Sequence, residues 1–163
     1  MNKILIAYAT YYGSTEKIVK LIAENLPGAE ICNLKKNPWP SLEEFEVVVI
    51  GGPIHAGKMH PAVRKFCRKN EEKLLTKKLA LFITCMYDGQ KAEEQFNRAF
   101  SKPLKAAAKE KAILGGEFNL EKLNFMERFI LKNFIGAKQS ASRLHPEQII
   151  NFAGRIRSLT EQI

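Results

Sequence analysis

The sequence predicts an α/β fold, a doubly wound parallel sheet of five strands with helices on both faces. Three observations predict it. Apolar runs alternate with amphipathic stretches along the whole chain. The runs Lys3 to Ala9 and Phe45 to Ile50 are apolar enough to be buried on both faces, the mark of interior parallel strands. The first run passes at once into Thr10-Tyr-Tyr-Gly-Ser-Thr15, a tight hydroxyl-rich turn, and then into an amphipathic helix.

The elements follow in order. The first helix runs from about Ser14 to Leu26, with Ile18, Leu21, Ile22 and Leu26 on one stripe, and Pro27-Gly28 ends it. A short strand is expected at about 29–34. Asn37-Pro-Trp-Pro40 reads as a turn, and Ser41-Leu-Glu-Glu44 as one capped helical turn. The third strand, Phe45 to Ile50, is expected to end at Gly51-Gly52-Pro53. Pro61 suits the first residue of a helix reaching about Asn70. A fourth strand is expected over Lys78 to Thr84, one helix over about 90–108, a fifth strand over Lys111 to Phe118, and a last helix from Pro146 to about Leu159.

The 163 residues, 45% of them hydrophobic, suit a single domain spanning 1–163. The net charge of +9 favours anionic partners. No aromatic–basic recognition motif points to nucleic acid, and none is expected as a partner. Cys32, Cys67 and Cys85 lack C-x-x-C spacing. With no signal peptide evident, they read as free core thiols in a reducing cytoplasm. His55, His60 and His145 show no metal-ligand spacing, so no metal is expected.

In a doubly wound sheet the ligand lies beyond the carboxyl ends of the strands. The loops to consider are therefore Thr10–Thr15, Gly51–His60 and Thr84–Gln90. In the first, unpaired N–H groups and the positive end of a helix dipole converge, and hydroxyls add hydrogen bonds without charge. The loop lacks the Gly-Lys-Ser/Thr of a Walker A loop, the glycines of a dinucleotide fingerprint and the cysteine of a low-molecular-weight phosphatase. The acidic residues of a receiver domain are missing too. What remains is a cradle for a phosphate monoester. Thr10, Gly13, Ser14 and Thr15 match the signature of the flavodoxin-like FMN-binding family, which the chain resembles. The resemblance implies FMN as cofactor, strand order 2-1-3-4-5, and phosphate contacts from Thr10, Tyr11, Tyr12, Gly13, Ser14 and Thr15.

It also implies that Pro53, Ile54, His55, Ala56 and Gly57 run along the isoalloxazine ring, where the glycines of this loop allow close backbone approach. Thr84, Cys85, Met86 and Tyr87 would form the third wall. Tyr87 is either a ring-stacking aromatic or a surface tyrosine. His55 is either a loop histidine or a group beside the ring, and it is the one side chain to test as an acid or base; no catalytic residue is assigned. The second loop carries His55, Lys58 and His60 and no acid. A cation about 6 Å from the reduced ring, at an effective dielectric constant of about 20, favours its negative charge by ~3 kcal/mol. That predicts a higher potential, in the range useful against a quinone.

Residues 119–145 read as an insert after the fifth strand. At helical spacing Glu121, Asn124, Arg128 and Lys132 make a narrow polar stripe on an otherwise apolar segment ending at Gly136. This extra helix either packs on its own domain or meets an anionic membrane through 119–138. The start of the chain, Ile50-Gly-Gly-Pro-Ile-His-Ala-Gly57, Pro61-Ala-Val-Arg-Lys-Phe66, Met126-Glu-Arg-Phe-Ile-Leu-Lys132 and Asn151-Phe-Ala-Gly-Arg-Ile156 together resemble the bacterial menaquinone-dependent protoporphyrinogen oxidase family. One departure is Lys138-Gln-Ser-Ala-Ser-Arg143, where acidic residues would be expected. The resemblance implies an FMN-dependent oxidoreductase, cytoplasmic and peripheral to the inner face of the membrane. It would oxidise protoporphyrinogen or a similar hydrophobic substrate and reduce a quinone. The alternative is a flavodoxin-type electron carrier that meets a redox partner protein.

Overall fold

A computed structural model of the chain describes residues 3–115, 117–118, 141–142 and 146–161. Strand β1 (Ile4–Tyr8) is buried along its whole length. Its neighbours are β2 (Glu30–Asn33) on one side and β3 (Val47–His55) on the other, both parallel to it. Next to β3 lies β5 (Lys78–Cys85), and next to that β6 (Glu110–Gly115), again parallel. The order is β2-β1-β3-β5-β6. The two-residue β4 (Lys58–Met59) only folds back antiparallel on the end of β3. With β4 set aside, this is the order 2-1-3-4-5. The order reverses between β1 and β3, so the crevice for a ligand opens at their carboxyl ends.

Two helical layers cover the sheet. On one face α1 (Ser14–Glu24) and α5 (Pro146–Glu161) pack Ile18, Val19, Ile22, Ile149, Phe152 and Ile156 against Ile4, Ile6, Val47, Val49 and Phe82. On the other, α2 (Pro61–Leu74), α3 (Gly89–Ala99) and α4 (Lys102–Ala107) pack Val63, Phe66, Phe96 and Leu104 against Leu5, Val48, Ile50 and Leu81. Alternate residues of one strand therefore serve different cores, which explains why β1 and β3 read as unbroken apolar runs. Cys32, Cys67 and Cys85 form no disulfide among the described residues and are buried in the second core. Burial pushes the Cys67 thiol up to about 12, with the Glu71 charge adding to the effect.

Four expectations are corrected. The third strand does not stop at Gly51 but runs through Gly52 and Pro53, which pair with β5, to Ile54 and His55, which pair with β4. The helix expected over about 90–108 is two helices. Phe100 is extended, and Ser101 caps α4 by accepting from Leu104 N, with Pro103 in the first turn supplying no N–H of its own. The helix opening at Pro61 continues past Asn70 to Leu74, whose side chain is fully buried. The fifth strand leaves the main sheet after Gly115. Glu117–Phe118 (β7) instead pairs antiparallel with Ala141–Ser142 (β8) in a separate two-stranded sheet. The extra helix expected within 119–138 lies outside the described residues. Among the described residues, no helix is long and apolar enough to cross a membrane.

Candidate functional site

The loop between β1 and α1 is built around Gly13. Its φ of +93° is left-handed, which a glycine adopts without a Cβ penalty, and it lets the chain turn into α1 within a few residues. Gly13 N donates to Thr10 Oγ1 at 2.9 Å, closing the turn on itself. Thr10 is the acceptor in this bond, so its own hydroxyl proton is not spent there. Gly13 occupies the N-cap of α1, and no side chain caps the helix. The first intrahelical bond, Lys17 N to Gly13 O at 3.1 Å, leaves the N–H groups ahead of it without a helical acceptor. Glu16 is the one acid in that turn, and the Tyr8 hydroxyl donates to its Oε1 at 3.0 Å. Burial, helped by Glu16, pushes the Tyr8 phenol up to about 12.

Thr15 faces inward. It is fully buried, and its hydroxyl shares a hydrogen bond of 3.0 Å with that of Thr84 at the end of β5. This bond ties the first loop to the third. Tyr12 and Ser14 are half-buried. Tyr11 is exposed, and its ring lies 5.0 Å from that of His55 and 4.4 Å from that of His60, centroid to centroid. The first and second loops thus meet through three rings.

The second loop is a β-hairpin. His55 pairs with Lys58 and Ile54 with Met59 across a two-residue turn, in which Ala56 has φ +51° and Gly57 φ +77°. Two positive φ values in a two-residue turn suit the twist of the strands. The usual sequence for such a turn is Asn-Gly or Asp-Gly, so Ala-Gly hid it. Gly51 and Gly52 are held by packing. They lie within β3, and a Cβ on Gly51 would come within 2.3 Å of the buried Phe82 ring. On Gly52 it would meet Met59 Sδ at 3.0 Å and Val63 at 3.1 Å. Both are packing glycines.

His60 has a role that the sequence analysis did not assign. It is the N-cap of α2, its Nδ1 accepting from Ala62 N at 3.0 Å, while its own N–H donates to Pro53 O at 3.2 Å. The signal was Pro61, which marks the preceding residue as a cap. Burial, with the Lys35 charge, holds the imidazole below its usual pKa. In the third loop Thr84, Cys85 and Met86 are buried, and Cys85 Sγ donates to Tyr87 O at 3.4 Å. The Tyr87 ring packs on the core, with Lys91 Nζ 4.4 Å from its centroid.

A protein-family model described as "Flavodoxin domain" matches residues 5–144. The chain belongs to the flavodoxin family. Among curated proteins it is similar to the protoporphyrinogen IX dehydrogenase [quinone] of Escherichia coli strain K12, with 24% identity over 98% of this chain and 97% of that one. Among solved structures, the rubredoxin oxygen:oxidoreductase of Desulfovibrio gigas matches with a TM-score of 0.65 at 14% identity. The match covers 99% of this chain but 36% of that one. The Fusobacterium nucleatum flavodoxin, solved bound to flavin mononucleotide, matches with a TM-score of 0.54 at 20% identity over 98% and 99% of the two chains.

FMN is the cofactor of this family, and the flavodoxin site described above fits it. The N-cap glycine of α1 has no side chain to offer its first turn, so a phosphate finds open donors and a favourable dipole there. No Lys or Arg lies in 10–15. Neutral donors, each worth about 1.5–3 kcal/mol toward a charged acceptor, take the place of a cation.

Proposed function

We propose that this flavodoxin-like chain acts as a single domain, with 119–145 as its insert. It would be an FMN-dependent oxidoreductase that oxidises a hydrophobic substrate of the protoporphyrinogen kind and reduces a quinone. The observation that carries the flavin reading is the uncapped N-terminus of α1 at the carboxyl end of β1. FMN supplies the redox chemistry when bound, and the protein supplies binding, orientation and electrostatics. Backbone N–H groups of α1 and the hydroxyls of Thr10 and Ser14 hold the phosphate. Tyr11, Tyr12 and the segment Pro53 to Gly57 line the ring on one side, with Thr84 to Tyr87 on the other. Cys85 and Met86, both buried, contribute through their backbones. His55 and Lys58, paired across the hairpin with no acid between them, favour negative charge on the ring and raise its potential.

The quinone and the substrate class are supported by the end-to-end similarity to a quinone-linked dehydrogenase. A cytoplasmic position at the inner face of an anionic membrane, with 119–138 in contact, belongs to the same reading. A second reading, a flavodoxin-type electron carrier meeting a redox partner protein, is favoured by the whole-length match to a free-standing flavodoxin.

An anaerobic reductive titration of the FMN-loaded protein separates the two. Reduction in a single two-electron step near the quinone couple supports the oxidoreductase. Two well-separated one-electron couples, the second far below menaquinone, support the carrier. Failure to bind FMN overturns both.

A further inference from the structure

Charge is distributed unevenly around the ligand end of the sheet. Residues 31–42 and 47–70 contain no Asp or Glu. Helix α2 carries Arg64, Lys65, Arg68 and Lys69, all exposed. Their spacing of three and four residues puts them on one stripe. Like charges at that spacing repel, and cations toward a helix N-terminus oppose its dipole. The first turn of α2 holds no acid to offset them. Local stability alone does not explain this arrangement.

Other cations extend the stripe. Lys58 is exposed on β4, at the hairpin beside His55. Lys35 and Lys36 are exposed just beyond β2, in a turn held by Asn33, whose Oδ1 accepts from Lys35 N at 3.1 Å. Trp39 joins that loop to α2: its ring meets Phe66 edge-on at 5.3 Å, and Lys69 Nζ lies 6.0 Å from its centroid. None of these cations forms an ion pair with a described residue. The large exposed apolar side chains among the described residues are Tyr11, Ile31, Leu75 and Ile150; of these, Tyr11 borders the hairpin through His55 and Leu75 ends α2.

We propose that this basic face, α2 together with Lys35, Lys36 and Lys58, seats the protein on an anionic lipid surface with the flavin edge turned toward the bilayer. The proposal rests on the quinone reading above, since a quinone dissolved in lipid must be met there. A face rich in cations and without acids suits mobile anionic headgroups, which rearrange to match it.

The test is sedimentation of the full-length, FMN-loaded protein with vesicles of phosphatidylcholine, with and without phosphatidylglycerol. The wild type is expected to sediment only with the anionic vesicles and to be released by salt. The double variant Arg64→Glu/Lys65→Glu should bind at least about 25-fold more weakly, at about fivefold per cation removed. Both side chains are exposed, so folding is expected to be preserved, which thermal unfolding checks. Lys102→Glu/Arg157→Glu makes the same change in net charge elsewhere and should bind like the wild type. Equal losses in both variants would mean net charge alone and would overturn the proposal. So would wild-type binding by the α2 variant, which would move the contact to another part of the chain. If the wild type ignores vesicles yet reduces a soluble quinone, the quinone reading stands and the docking proposal falls. If it ignores vesicles and captures an acidic ferredoxin through Arg64 and Lys65, the face serves a protein partner and the lipid proposal is overturned.

Discussion

The loop after β1 and the hairpin after β3 both belong to the proposed flavin site, yet they are built on different principles. The first loop works through its backbone. Gly13 turns the chain, and the donors it exposes belong to α1 itself. The hairpin works through packing. Its glycines make room for Phe82, Met59 and Val63, and His60 is tied to α2. A motif therefore reports the first region well and the second poorly. Backbone geometry is set by a few neighbours in sequence, whereas packing is set by side chains far along the chain.

Substitutions should separate the two regions. The largest effect is expected at Gly51→Ala, where the new Cβ meets the fully buried Phe82 ring. Overpacking of this severity should cost about 3 kcal/mol in urea unfolding. FMN affinity at full folding should stay near wild type. A tenfold loss of affinity in the folded protein would break the distinction.

Next is Thr84→Val, which leaves the buried Thr15 hydroxyl without its partner. The expected loss is about 2 kcal/mol, and adding Thr15→Val should recover most of it, because removing both partners leaves nothing unsatisfied. A double-mutant cycle in urea checks this. An additive result would mean that the pair does not join the two loops.

Gly13→Ala should cost less stability, about 1 kcal/mol for a left-handed alanine, since a Cβ there meets nothing within 4 Å. Its effect on FMN should be the larger one, a clear fall in affinity by fluorescence titration, because the turn aims the α1 donors. Loss of stability without loss of affinity would contradict the backbone role.

The smallest effect concerns pH. His60 has a lowered pKa in the fold, so the unfolded chain binds the extra proton first. Stability from this group is present above about pH 6.5, the unfolded value, and is lost as pH falls through the lower folded value. His60→Asn puts a capping oxygen in place of Nδ1 and removes the titration. Its stability curve should be flatter than wild type in that window, as thermal unfolding at several pH values will show. Identical curves would remove His60 from the account.

Much of the fold was legible because its signals are local or periodic. The apolar runs of β1, β3 and β5, the stripe of α1 and the prolines opening α2 and α5 each follow from neighbours in the chain. The break between α3 and α4 was also written there, in Ser101 and Pro103, but the apolar spacing of Phe96, Phe100 and Leu104 outweighed it. The candidate site was read from the same kind of local signal. Thr10 to Thr15 pointed to a phosphate because helix-start chemistry is a matter of a few consecutive residues.

By itself the sequence determined the alternation of elements, the strand order implied by its flavodoxin signature, and the hydroxyl-rich turn that opens α1. Only the tertiary structure decided that Gly51 answers Phe82, that Thr15 bonds Thr84, that Tyr11 lies over His55 and His60, and that Trp39 meets Phe66 and Lys69 of α2. The physical reason is separation along the chain. Thr15 and Thr84 are 69 residues apart, and only the stacking of parallel strands brings their hydroxyls within one hydrogen bond.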